Sequence, residues 1–544
     1  MTSRALPKLA VGQNTLNPVL DGIRRDLDIP AQFTPEALAE AEGAAEEWRA
    51  IASQLPLKTI DWAAHCAAET NPVNAVQRLP LEYEWPELHY LHGSALPEYD
   101  ATSIPFVTID PAESMDLDQA LYLADLGPDG RHGRYLVNYA IASVPTFVRP
   151  ASALDVETWE RGTTVYLPDQ STPLHPPVLS HGAASLLPDQ IAPACVWSIC
   201  LDHEGHAIHS RVDRALVRSR AKLSYEQVDA AARGNEELPA DVPDDLVGLL
   251  KTIGELRLSN EAARGGVSAR IPEQEFESHD GWYTLNYRAN LPVEEWNAQI
   301  SLLTGIRAAK HMRAANVGIM RTLPPADERD LARMRRIARA LGVKWPHEMN
   351  YAELVPALNP DIPAHAAFLL EATSLFRGSG YRAFGVKDTK PLPASAADGI
   401  IHAAIAAEYA HVTAPLRRLV DRYGEEVCIA QCAGRDVPEW VRDSLEELPS
   451  AMRRSSQRAH TATRLGLAVI QSLMMHGREG EQYTGTVVDV SDKKSTIMLS
   501  EPAVMGTVYA KLDLGSSGRF RLVEANLESR EIVLAPVESL VTHH

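Results

Sequence analysis

Apolar and polar positions follow three different rhythms along this chain, and the rhythm changes twice. At first the spacing is helical: "FTPEALAEAEGAAEEWRAIASQL" sets apolar residues three and four apart, with Thr34 as N-cap, Pro35 at the first helical position and acids in the opening turns. A second helical pattern, "TIDWAAHCAAETN", follows. The pair reads either as a helix-turn-helix or as a packed helical cap. From about Ile104 to Met474, strands such as "RYLVNYAIASV" and "VWSICLD" mix with helices such as "VEEWNAQISLLTGIRAAKHMRAA" and "DERDLARMRRIARALG". No repeat or low-complexity linker divides this body. After "MMHGREGEQ" the pattern shortens to alternating strands punctuated by Gly, Asp and Ser, as in "YTGTVVDVSDKKSTIMLS" and "GRFRLVEANLESREIVLAPV". Short strands of that kind predict a small β-barrel. The expected fold class is multidomain α+β: a helical N-terminal domain over residues 1–95, a large α+β body over 96–476 and a C-terminal barrel over 477–544.

Composition adds little to this picture, and charge complicates it. The 544 residues are 45% hydrophobic and 23% charged, an ordinary globular balance with room for a large core. The five cysteines (Cys66, Cys195, Cys200, Cys428, Cys432) form no C-x-x-C pair, which favours a reducing compartment over a metal knuckle. The N-terminus "MTSRALPKLAVGQ" lacks the apolar run of a signal peptide, and the most apolar helical stretch, "DGIIHAAIAAEYAHV", is broken by His402 and Glu408. A cytoplasmic monomer without membrane contact is expected. A net charge of -20 argues, on average, against a polyanionic partner. The cations are clustered, however: Arg307, Lys310, Arg313, Arg321, Arg333, Arg335, Arg336 and Arg339 share one helical region, and Arg417 adjoins Arg418. A channel can be basic inside an acidic shell.

The stretch "FVTIDPAESMDLDQALYLADL" carries the candidate chemistry. Asp110, Asp116 and Asp118 crowd between a short β-branched strand, Val107 to Ile109, and a second apolar run, Ala120 to Ala124. Crowded carboxylates raise one another's pKa unless a cation neutralises them. A turn would account for Asp110 and leave two acids over. An EF-hand loop is excluded, because counting from Asp116 its fifth position is Ala120 and its twelfth is Gly127. A site for a hard divalent cation is the reading that uses all three.

Several ordered segments together resemble the RNB-domain exoribonucleases, the family of ribonuclease II and ribonuclease R. "TIDPAESMDLDQ" follows the family's T-I-D, five residues, D-x-D-D except at its last position. "RGTTVYLPD" and "LSHGAASL" are similar to the R-G-x-x-x-Y-x-P and L-S-x-x-x-x-S-L elements. "PVEEWNAQISLLTG" resembles the helix with paired glutamates, "YAHVTAPLRRLVDRYG" resembles Y-A-x-x-T-S-P-I-R-R-x-x-D, and the C-terminal segment resembles an S1 RNA-binding barrel of the OB type.

The resemblance implies processive, magnesium-dependent 3′→5′ hydrolysis of single-stranded RNA to nucleoside 5′-monophosphates, with manganese as an alternative metal. Asp110, Asp116 and Asp118 match acids that hold the metals, and Gln119, standing where the family has a fourth, can still offer its side-chain carbonyl to the metal with one formal charge fewer. Arg417 matches the arginine that clamps the scissile phosphate. By spacing alone it would instead pair with Asp421 on the same helix face. Tyr166 matches an aromatic that stacks on nucleotides near the 3′ end, although a tyrosine before a proline is otherwise a half-buried core ring. Glu294 and Glu295 match the pair that reaches ribose hydroxyls, and Tyr409 and Arg418 belong to the RNA-contacting segment. Ser143 stands where "AIAD" is expected. The two departures keep an alternative open: a degenerate homologue, or an adaptor built on the S1-like barrel, that binds RNA without cutting it.

Overall fold

Thr34 accepts the Ala37 N–H on its Oγ1 at 3.3 Å, so the first long helix begins where its cap sits. A computed structural model of the chain describes residues 9–10, 13–67, 88–268, 273–279, 282–288, 290–360, 362–387, 389, 392, 400–499, 501–537 and 540–542. Strand β1 (Leu9–Ala10) and helices α1 (Gln13–Asp26), α2 (Pro35–Ile51) and α3 (Trp62–Ala67) come first. The end of the second helical pattern, residues 68–71, lies outside the described residues.

The body is built on a six-stranded sheet in the order β2 (Tyr99–Asp100), β9 (Ala207–Ser224), β3 (Phe106–Asp110), β4 (Gln119–Asp125), β5 (Tyr135–Ala142) and β8 (Ile191–Leu201). The 18-residue β9 pairs antiparallel with β8 through residues 207–218 and parallel with β3 through 219–224. By changing partners along its length it curls the sheet until five strands close on themselves. Helix α4 (Ala153–Arg161) and the small pair β6 (Val165–Tyr166) and β7 (Ser171–Thr172) lie between β5 and β8, and helices α5 (Tyr225–Ala232), α6 (Leu246–Ala263) and α7 (Pro292–Ala315) come after β9.

All eight residues of β5 are buried, which is why it reads as unbroken apolar sequence: helices cover both faces. On one face Val137, Tyr139 and Ile141 meet Leu250 of α6 and Ile300 and Leu303 of α7. On the other, Ala140 and Ala142 share a core with Ala41, Ala44, Ala45 and Trp48 of α2. The N-terminal helices thus complete the core of the body.

A hairpin, β10 (Glu273–His279) and β11 (Trp282–Arg288), pairs with β1. Next come β12 (Gly318–Thr322), its partner β13 (Gly380–Phe384), and α8 (Glu328–Ala340), α9 (Tyr351–Ala357) and α10 (Pro363–Ala372) between them. Helices α11 (Leu419–Cys432), α12 (Glu439–Ser444) and the 28-residue α13 (Leu448–Met475) lead to the C-terminal barrel. Leu448 and Met452 of α13 pack in the body, whereas Ile470 and Met474 pack with Leu20 of α1 and Phe520 of the barrel. The barrel comprises β14 (Gln482–Val490), β15 (Ser495–Leu499), β16 (Met505–Val508), β17 (Ser516–Asn526) and β18 (Glu531–Pro536). The β14–β17 pairing closes it and β16 meets β18 in parallel, the strand plan of an OB-type barrel. Among the described residues, no helix is long and apolar enough to cross a membrane.

Candidate catalytic site

Asp110 ends β3, where parallel pairing sets it opposite Ser224 at the end of β9. The chain turns over Pro111 and Ser114 and is pinned again at Leu117, fully buried, whose N–H donates to Ser185 Oγ at 3.0 Å. That anchor fixes the residues on either side of it. Asp118 points inward: its Oδ1 accepts the Leu416 N–H at 2.7 Å and its Oδ2 lies 3.3 Å from Arg417 Nε. Asp116 is half-buried, and its Oδ2 accepts the Tyr166 hydroxyl at 3.4 Å. Asp110 Oδ2 is buried and has no hydrogen-bond partner.

The electrostatics show what is missing. Burial pushes the Asp110 carboxyl up to about 6, opposed by Arg417 and reinforced by Asp116. It pushes Asp118 up to about 8, against the pull of Arg417 and the Leu416 N–H. Arg417 is itself 47% exposed, and Lys222 Nζ is engaged by the Ala112 carbonyl at 2.7 Å. These cations leave the buried carboxyls short of positive charge. The orphaned Asp110 oxygen, on one of two carboxyls that burial pushes up, suits a hard divalent cation, which favours ionised oxygen ligands. The donor set is open: among the described residues, the three-ligand group whose atoms all lie within 4.8 Å of one another is Asp202, Glu204 and His206, on the turn between β8 and β9.

Residues 409–418 bring Arg417 to the acids, and the R-G-x-x-x-Y element holds them there. The Arg417 carbonyl accepts the Thr164 N–H at 3.1 Å and the Thr163 hydroxyl at 2.8 Å, while the Leu419 N–H donates to the Gly162 carbonyl at 3.0 Å. Gly162 sits at φ +66, and a Cβ there would come 2.5 Å from Ser455 Cβ, so the position requires glycine. Arg161 is a strut: it pairs with Glu157 at 2.9 Å and lies 3.6 Å over the Phe33 ring. Five residues on, Tyr166 is 48% exposed at the edge of the acids.

The structure separates the remaining candidates. Arg417 faces Asp118, and the ion pair with Asp421 that spacing alone would give it is made by its neighbour, with Arg418 Nη2 at 2.7 Å and Nε at 2.9 Å from the carboxylate. Asp421 also accepts the Ala414 N–H at 2.7 Å, so the pair braces the loop. Tyr409, expected to touch RNA, is 7% exposed and packs on Gly305, where a Cβ would come 2.1 Å from its ring. The reason is that the loop must cross α7 closely to reach the acids. Glu294 caps its own helix by accepting the Leu291 N–H at 2.6 Å and pairs with Arg288 at 3.1 Å. Glu295 follows it, half-buried in the same turn. Gln119 Nε2 donates to the Thr413 carbonyl, tying β4 to the loop. Ser143 is fully buried, accepts Arg214 Nε at 3.2 Å and shares a hydrogen bond with Thr146 at 3.0 Å; Glu426 neutralises Arg214.

Sequence reasoning missed Lys222, Thr413 and Leu416. Lys222 reaches the site through its register opposite Thr108, and the other two contribute backbone atoms, which leave no residue-type signal.

The chain belongs to the RNB-domain family: the RNB domain model matches residues 98–427, and the RNase II-type exonuclease C-terminal S1 domain matches residues 481–537. It is similar to ribonuclease R of Vibrio parahaemolyticus, 25% identical over 478 residues that make up 80% of this chain and 54% of that protein. It is also similar to ribonuclease R of Escherichia coli, 26% identical over 382 residues, 64% of this chain and 43% of that protein. The chain spans about half the length of the curated relatives it matches. In fold it is similar to Mycoplasma genitalium RNase R in complex with ribose methylated single-stranded RNA, with a TM-score of 0.76 and 16% identity over 97% of this chain and 79% of that one. Yeast Ssd1, a pseudonuclease, shares the fold with a TM-score of 0.60 and 14% identity over 77% of this chain and 51% of that one.

Proposed function

We infer that this chain hydrolyses single-stranded RNA from its 3′ end to nucleoside 5′-monophosphates, processively and with magnesium, or manganese in its place. The observation that carries this reading is the buried Asp118, bonded to the Leu416 N–H and paired with Arg417 next to the unpartnered Asp110 oxygen. Asp110, Asp116 and Asp118 would hold the metal, which when bound supplies an acidified water and offsets charge on the phosphate. The half-exposed Arg417 guanidinium presents a planar fork to the scissile phosphate. The exposed Tyr166 ring gives a base a face to stack on, worth ~1–3 kcal/mol whatever the base. Glu294 and Glu295 offer acceptors for ribose hydroxyls, the group that separates RNA from DNA.

The test is incubation with 5′-labelled single-stranded RNA and magnesium. Shortening of the labelled strand to a small 5′ fragment, with unlabelled nucleoside 5′-monophosphates released, is expected from the parent. Asp118→Asn, which removes charge with little change of shape, is expected to bind RNA as before and cut at least ~100-fold more slowly. Turnover at the parental rate in that variant would displace the metal site. Gln119, with its amide committed to the loop, favours a second reading in which RNA is bound and not cut. Retention of full-length RNA by the parent would establish it.

A further inference from the structure

A second cluster of charge lies at the far end of two elements that reach the acids. Along α7, Glu294 and Arg307 are about 20 Å apart at ~1.5 Å per residue. Around Arg307, the C-terminal half of α6, the turn between β8 and β9 and Ala407 line an open pocket of about 390 Å³. Arg257, Arg264, Arg307 and Lys310 line it together with apolar walls from Leu303 and Ile306.

No acid among the described residues comes into contact with the four cations: none of them makes an ion pair within 4.0 Å. Three are held in place by neutral groups: Arg257 Nη1 donates to the Gly205 carbonyl at 3.0 Å, Arg264 Nε to the Ile405 carbonyl at 2.7 Å, and Arg307 Nε to Ser210 Oγ at 2.7 Å. Glu261 attracts both Arg264 and Arg257 at longer range, and one of its oxygens already accepts Gln299 Nε2 at 2.6 Å and Ser268 Oγ at 2.9 Å. Asp202 adds a weaker attraction at Arg257. Arg257 is only 6% exposed, and its Nε, like Arg264 Nη2, is buried with no partner. A buried guanidinium nitrogen left unpaired is costly, and a cluster of like charges multiplies the cost. Burial accordingly lowers the pKa of all four, and repulsion from neighbouring cations adds to it at Lys310 and at Arg257, which falls to about 10.

We propose that this pocket binds a phosphate-bearing anion of mononucleotide size or smaller, at a site separate from the acid cluster. Guanidinium forks match phosphate oxygens in pairs, and the volume lies within the ~300–1,000 Å³ range of small-ligand sites. Two sources share that chemistry: a nucleoside monophosphate, whose base and sugar would use the Leu303 and Ile306 walls, and free phosphate. The pocket does not depend on the hydrolytic reading above.

The test is calorimetric titration of the full chain in EDTA, so that no metal bridges a ligand to the aspartates, with AMP, inorganic phosphate and adenosine as probes. AMP is expected to bind and adenosine not to. Lys310→Ala, at the exposed rim, and Arg307→Gln should each weaken AMP at least ~10-fold, the scale of one charge-assisted bond, while Arg417→Ala leaves it unchanged. AMP binding tighter than inorganic phosphate identifies the nucleotide, and equal binding identifies free phosphate. The proposal is overturned if adenosine binds as well as AMP, if neither phosphate probe binds at millimolar concentration, or if Arg417→Ala abolishes binding and Lys310→Ala does not.

Discussion

Gln119 donates an N–H to the carbonyl of Thr413, a group that can only accept, so a carboxylate at this position could not make the same bond. That contact links the strand of acids to the loop of Arg417. Gln119→Asp should therefore lower stability by ~1–3 kcal/mol, the cost of an unmade buried bond, seen as a lower urea midpoint. The magnesium titration midpoint is expected to stay where it is; a tighter midpoint would place position 119 in the metal shell instead. His175 is a second residue whose chemistry is set by burial. It is 2% exposed, neither ring nitrogen has a partner, and burial with the nearby Arg422 and Arg161 charges pushes its imidazole down to about 3. An unfolded histidine titrates near ~6.5, so between these values the unfolded chain binds the extra proton. Stability is thus intact above pH ~6.5 and is lost as pH falls toward 3. The urea stability of the parent is expected to fall relative to that of His175→Leu as pH drops from 7 to 4.5, and parallel curves would show that His175 does not report on acid unfolding.

At the scale of elements, α2 is a lid on the sheet. Its buried face is alanine except for Trp48 and Ile51, because it must approach the sheet closely. Trp48 Nε1 donates to the Ile191 carbonyl at 3.3 Å, and the ring meets Phe147 edge-on at 5.8 Å. Trp48→Ala should cost ~3–5 kcal/mol by the usual penalty for an emptied aromatic site. A thermal melt with one transition, shifted down as a whole, is expected. A separate early transition would mean that the N-terminal helices melt on their own. The loop of residues 409–418 is the other decisive element: Asp118, Asp421, Gln119 and the Gly162 carbonyl all bind its backbone or its flanks.

For the whole molecule, hydrophobic cores are shared across parts that the sequence pattern divides. Helix α2 completes the second face of the body's sheet, α1 and the barrel meet on α13, and α13 runs from the body into the barrel. A chain beginning at residue 96 would expose Ala140, Ala142, Phe147 and Val196 to water. It is expected to elute from size exclusion as aggregate, where a monodisperse monomer would show that the body completes its core alone.

The sequence by itself determined the class and the family. Apolar rhythm distinguishes helix from strand over long stretches, and the acid spacing of Asp110, Asp116 and Asp118 is a local pattern that survives in one dimension. It also identified Tyr166 and Arg417 as candidates through segments whose residue order is fixed. Only the tertiary structure decided which arginine faces the acids and which braces the loop, that Tyr409 is buried, and that the Gln119 amide is turned to a carbonyl. Adjacent residues on a loop point in different directions, and the direction is set by partners hundreds of positions away. The pocket of four cations was equally out of reach: Arg257 and Arg307 lie fifty residues apart and become neighbours only when α6 packs on α7.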